Sequence, residues 1–252
     1  MDCLDRIRAM PGRVGFYYRP LGGEATAFQA DEPLLAASVI KIPIMVAAFR
    51  AMEEGRLDPD EAVEIRLEDK VPSCGALTYL QSGIRVTARD LITLMIILSD
   101  NTATNLLIGR LGTAYVNETM LALDIPGIAL RRRMFDGELA RQGVENTVTA
   151  RRVGVLLERI AEGKLLEEGA DGEMLSILLN QRLNGKLPFF LHSRGVRIAH
   201  KTGEDSGITH DVGIVYAKNP FVVCMLSNGV DVPAFERLIQ DAALELYERN
   251  QR

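Results

Sequence analysis

The chain has 252 residues, of which 47% are apolar and 25% charged, with a net charge of -5 and a pI near 5.4. That is ordinary globular composition, with length for one large domain or two small ones around a substantial core. No basic stripe is present, which argues against nucleic acid as a partner. The longest apolar stretch, Leu34 to Phe49, is broken by Ser38, Lys41 and Pro43, and Leu91 to Leu98 is too short to cross a bilayer, so no membrane segment is expected.

The first residues, Met1-Asp2-Cys3-Leu4-Asp5, have neither a basic start nor an apolar run, so they do not read as a signal peptide. The expected compartment is cytoplasmic, or secreted or periplasmic if a leader has already been removed. Cys3, Cys74 and Cys224 form no disulfide framework and read as small buried residues or free thiols. Arg13 to Tyr18 and Ala25 to Gln29 read as strands joined at Gly22-Gly23, a hairpin with a glycine turn. From Ser38 to Leu191 the pattern is mostly helical. Thr87-Ala88-Arg89-Asp90 is a capping box with Asp in the Glu position, predicting a helix through Leu98. Thr149 caps another helix, through about Ala161.

Three more strands follow: Arg197 to His200, Asp211 to Ala217 and Phe221 to Leu226, the last two joined at Lys218-Asn219-Pro220. A final helix runs from about Pro233 to Asn250, with Phe235, Leu238, Ile239, Ala242 and Leu246 at helical spacing. Strands at both ends around a helical middle imply one sheet assembled from both termini. The expected division is a sheet part of about 1–50 and 190–252, and a helical part of about 51–189.

Three short pieces carry the chemistry. Ser38-Val39-Ile40-Lys41 places a lysine amine on the same helical face as a serine hydroxyl. Serine is a poor nucleophile unless a base takes its proton. Lysine, with a free pKa of about 10.4, serves as base only if burial or nearby positive charge lowers that value. Lys201 can supply such a charge, and the helix start favours an oxyanion near Ser38. Pro43 lacks an N–H and should cost one helix bond, to Val39 if the helix has begun there. Ser99-Asp100-Asn101 sits at a corner between two helices. Lys201-Thr202-Gly203 ends the strand from Arg197, and its glycine lets a substrate backbone lie close. Taken singly, the three also read as a serine cap with a surface lysine, a plain turn and an edge-strand lysine.

In this order and on these elements, S-x-x-K, S-D-N and K-T-G resemble the class A β-lactamases and penicillin-binding proteins. The resemblance covers nearly the whole chain, including the Leu183-Asn184-Gly185 turn leading into the K-T-G strand. It implies an α/β (α+β) fold: an antiparallel five-stranded sheet flanked by helices, with an inserted all-helical part. It implies a serine hydrolase that forms an acyl-enzyme through Ser38, with Lys41 as base and Ser99 as proton relay to the leaving nitrogen. Asn101 would donate to the substrate's amide carbonyl, and Lys201, Thr202 and Gly203 would hold an anionic group. The backbone N–H groups of Ser38 and Glu204 would form the oxyanion hole. The implied partner is a small β-lactam, amide or ester, most simply one bearing a carboxylate, with no cofactor and no metal.

One region departs from the family. Class A enzymes carry E-x-x-L-N in a loop under the site, where the Glu activates the deacylating water. Here the corresponding stretch, Arg131 to Leu139, closes at Asn146-Thr147. Aligned without gaps from that closing point, the Glu position falls on Arg133 and the Asn position on Gly137. Asp136 and Glu138 are the nearby acids that remain as deacylation bases, or are plain solvated carboxylates. Slow deacylation is therefore expected. A D,D-carboxypeptidase or esterase on the same fold, and a non-catalytic penicillin-binding sensor, are the alternatives. His192, His200 and His210 show no zinc-binding spacing; His210 reads either as a pocket residue or as a structural histidine.

Overall fold

The computed structural model describes residues 2–72, 75–167 and 169–252. Cys74 lies outside them. In chain order the elements are α1 (Cys3–Ala9), β1 (Arg13–Pro20), β2 (Thr26–Phe28), β3 (Leu34–Leu35), α2 (Lys41–Glu53), β4 (Ala62–Glu64), β5 (Arg85–Thr87), α3 (Ala88–Ile97) and α4 (Asn101–Leu111). They continue with α5 (Thr113–Ala122), α6 (Gly137–Arg141), β6 (Thr147–Val148), α7 (Ala150–Ala161), α8 (Ala170–Leu179), β7 (Ile198–Asp205), β8 (Ile208–Val215), β9 (Phe221–Asn228) and α9 (Val232–Asn250).

Five strands form one antiparallel sheet in the order β2-β1-β9-β8-β7. The N-terminal hairpin pairs directly with the last strand, with Phe16 opposite Met225 and Tyr17 opposite Cys224. Alternate side chains then enter two cores. Phe16, Tyr18, Val223 and Met225 pack with α1 and α9, whereas Tyr17, Val222, Cys224 and Leu226 pack with the helical middle. Because both faces are covered, β9 reads as an unbroken apolar run rather than an alternating one.

Both predicted caps are present. Thr87 and Asp90 exchange reciprocal bonds at the start of α3, and Thr149 accepts from Arg152 N–H at the start of α7. Two features differ from the sequence expectation. The strand through Lys201 does not end at Gly203. It continues to Asp205, turns at Ser206-Gly207 and pairs back, with Glu204 opposite Thr209 and Asp205 opposite Ile208. The polar run Glu204-Asp205-Ser206 hid this pairing, because an edge strand ending in solvent keeps polar side chains. Pro43 also costs less than expected. The helix proper starts at Lys41, so Pro43 sits in the first turn, where N–H groups lack intrahelical partners anyway.

Candidate active site

Ser38 lies in a 3₁₀ turn, Ala37–Ile40, that runs into α2. Ala37, just before it, has φ +41°, and Ser99 has φ +55°. Left-handed backbone is costly for residues other than glycine and collects at functional sites. Nearly every residue of α2 is buried, and Lys41, its first, is 0% exposed. Its Nζ donates to the Ser99 carbonyl at 2.7 Å, to Ser99 Oγ at 3.0 Å and to Asn101 Oδ1 at 2.6 Å. Lys201, equally buried, donates to the same Ser99 Oγ at 3.1 Å and to the Thr202 carbonyl at 2.8 Å. Two amine-bearing side chains from distant parts of the chain thus meet on one hydroxyl oxygen. With Ser99 Oγ accepting from both, its own proton is directed elsewhere.

The corner that holds Ser99 is built by its neighbour. Asp100 caps α4 by accepting from Ala103 N–H at 3.0 Å, and its other oxygen accepts from Leu77 N–H at 2.8 Å. Across the cleft, β7 is the free edge of the sheet and packs against the Ser38 turn. The approach depends on Gly203: a Cβ there would lie 3.2 Å from Val39 Cγ2 and 3.3 Å from Ser38 N. Ser38 fronts two adjoining recesses of about 380 and 300 Å³, both also lined by Asn101, Phe135 and Glu204. Thr202 lines the smaller one. All eight residues singled out for acylation and substrate binding therefore gather in one place.

The loop from Arg131 to Asn146 forms the far wall. Asn146 closes its neck, accepting from the N–H groups of Arg131 and Arg132 at 2.7 and 3.0 Å and donating to the Arg132 carbonyl at 3.0 Å. Asn105 of α4 clamps its middle, donating to the Met134 carbonyl at 2.9 Å and accepting from Met134 N–H at 2.8 Å. Met134 therefore lines the cleft with Ser38, whereas Arg133 lies against Gly109 on the outer side. Of the two, Met134 and not Arg133 lines the cleft. Asp136 lines the cleft and caps α6 through Leu139 N–H at 3.1 Å. Glu138 is exposed and lies apart from the cleft lining. Glu145 also lines the cleft, its carboxylate held by Arg132 at 2.5 Å.

The sequence reading missed Asn105, Met134 and Glu145. Asn105 carried one signal: asparagine is a poor helix-interior residue, and this one stands four after Asn101 on the same helix. His210 is structural. It is wholly buried, its Nδ1 accepts from Ser227 N–H at 3.0 Å, and its Nε2 therefore donates to the Leu35 carbonyl at 2.8 Å. Burial pushes its pKa down to about 4. His200 is buried between Asp211, at 2.9 Å from Nδ1, and Asn184, at 3.1 Å from Nε2.

A family model described as the beta-lactamase enzyme family matches residues 3–249. The chain belongs to that family. Among solved structures it is similar to a beta-lactamase from Sphaerobacter thermophilus, with a TM-score of 0.91 and 30% identity over 98% of this chain and 95% of that one. It is also similar to PBP-A, with a TM-score of 0.87 and 29% identity over 98% and 93% of the two chains. A leucine-to-glutamate mutant of PBP-A has been solved as an acyl-enzyme complex with penicillin G. A Rhodobacter capsulatus protein named beta-lactamase is 34% identical over 113 residues, 44% of this chain and 38% of that protein. No helix among the described residues is long and apolar enough to cross a membrane.

Proposed function

We propose that the protein is a serine hydrolase acylated at Ser38 by β-lactams or related amides and esters, and that it releases the acyl group slowly. The observation that carries this reading is the meeting of Lys41 and Lys201 on Ser99 Oγ beside the Ser38 cleft. Lys41, in its neutral form and so giving up one of its three donated bonds, takes the Ser38 proton. Ser99, whose proton is not spent on either lysine, passes it to the leaving nitrogen and is reprotonated by Lys41. Asn101 positions the amide carbonyl, and Lys201 and Thr202 hold an anionic group on the substrate. The backbone N–H groups of Ser38 and Glu204 receive the oxyanion, brought close by Gly203.

Slow release rests on the loop. Its cleft-facing residues include a methionine, an arginine paired with Glu145, and an aspartate that caps a helix. Asp136 is the candidate base, Glu145 being held by Arg132, and Glu138 is the weaker one because it lies outside the cleft. A D,D-carboxypeptidase or esterase activity on the same site is a second reading, favoured by the likeness to PBP-A.

Intact-mass spectrometry after mixing with a penicillin tests the proposal. A near-stoichiometric adduct that clears slowly, and that Ser38→Ala abolishes while keeping its fold, is the expected result. Equal labelling of Ser38→Ala would remove the central claim.

A further inference from the structure

Lys186, between α8 and β7, is 3% exposed, yet it bears a charge. Its Nζ meets Glu204 Oε1 at 2.7 Å, the His210 carbonyl at 3.4 Å and Glu236 Oε1 at 3.8 Å. Glu236 is the more distant carboxylate and already accepts from Thr209 Oγ1 at 3.0 Å. A buried ammonium needs a close partner, and Glu204 is that partner. The Glu204 side chain, by contrast, is 64% exposed. The fixed end of the pair is the lysine; the movable end is the glutamate.

Glu204 stands two residues beyond Thr202 on β7, so the two side chains share a face. Both line the recess that holds Ser38 and the neighbouring recess that leads to Lys186. The Glu204 carboxylate therefore has two destinations. It can turn outward to Lys186, or inward to the Thr202 hydroxyl, where a substrate's own carboxylate would bind. We propose that Lys186 is a positioning residue: it draws the Glu204 carboxylate away from the anion subsite of the K-T-G strand and so keeps that subsite open to carboxylate-bearing acyl donors. This rests on the acylation reading above.

The test compares acylation of the full chain by benzylpenicillin and by its neutral methyl ester, read as the rate of adduct formation. Lys186→Met should lower the acid-to-ester rate ratio about tenfold, the effect of a ~1.4 kcal/mol like-charge penalty at the subsite. Adding Glu204→Gln to that variant should restore the ratio, because the intruding charge is gone. A structural loss at Lys186 would slow both substrates alike and would not be rescued. Two surface variants keep the question open to refutation if Lys186→Met fails to fold. Glu204→Asp keeps the charge but loses the reach to Lys186, and should lower the ratio; Glu204→Gln alone should raise it. Wild-type adduct formation with an unchanged ratio in these variants overturns this inference alone. Failure of the wild type to form any adduct overturns the acylation reading and this inference together.

Discussion

Gly203 concentrates more of the site's geometry than any polar residue does. A methyl group there would press on three partners at once: Val39, the Ser38 backbone nitrogen, and the His210 ring, 3.0 Å from its Cδ2. Val39 and His210 are wholly buried and cannot swing aside. Gly203→Ala should therefore push β7 off the Ser38 turn. The expected cost is about 1–3 kcal/mol of stability, in line with overpacking a filled core. Acylation should fall by more than the stability change explains, since the two proposed oxyanion donors, the N–H groups of Ser38 and Glu204, lie on opposite sides of this contact. Thermal unfolding and adduct formation, measured on the same preparation, check it. A variant that acylates at the wild-type rate would show that the close approach is packing alone.

The same contact separates what was legible in the sequence from what was not. K-T-G was readable as a motif because its residue types are rare in that order. That its glycine faces Val39 and His210 was not readable, because the partners come from positions some 160 residues apart or across a turn hidden in a polar stretch. Likewise the absence of E-x-x-L-N from the loop was plain, but that Met134 lines the Ser38 cleft was decided by Asn105, a clamp from another helix.

At the scale of elements, the caps do local work and His210 does work between elements. Asp100 caps the start of α4 while tying down Leu77. Asp100→Ala removes a cap and leaves a buried N–H unpaired, so about 2 kcal/mol should be lost. Asp100→Asn, which keeps one acceptor for the cap, should lose less; urea unfolding of the two variants distinguishes them. His210 joins β8 to β9 through Ser227 and to β3 through Leu35. Its folded pKa of about 4 lies below the 6.5 of an exposed histidine. Between those values the unfolded chain binds the proton and the folded one does not. Stability should therefore fall as pH drops from about 6.5 to about 4, by about 3 kcal/mol from this residue, and flatten below. His210→Gln should show a shallower pH dependence over that window. Equal slopes in the two proteins would place the acid sensitivity elsewhere.

The strands were legible where apolar runs were bounded by glycine or proline, as at Gly22-Gly23 and Lys218-Asn219-Pro220. The short pairs β3 with β6 and β4 with β5 were not. Two or three residues carry too little periodicity to announce a strand, and tertiary pairing alone creates them.

For the whole molecule, the cleft is a product of three regions that only the fold brings together. The sheet edge supplies Lys201 to Glu204, the helical middle supplies Ser38 to Lys41 and Ser99 to Asn101, and the loop from Arg131 to Asn146 supplies the wall. On the proposed reading, the first two regions serve acylation and the third governs whether the acyl group leaves. Deacylation requires a base beside a water near the ester carbon. The wall offers Met134, an apolar side chain fixed by two backbone bonds to Asn105. Met134→Glu should place a carboxylate on the same rigid mount, in the lining of the Ser38 cleft, without disturbing the clamp, which uses only backbone atoms of residue 134. One positioned acid–base group contributes ~10²–10⁴-fold, so even imperfect placement should shorten the adduct lifetime by ~10²-fold while leaving adduct formation close to its wild-type rate. Time-resolved intact-mass spectra of the two proteins with the same penicillin measure both steps. An unchanged lifetime would mean that the loop does not govern release. If the wild type itself clears the adduct quickly, loss of that rate in Asp136→Asn or Glu138→Gln would identify the base, and a glutamate at position 134 should then add little.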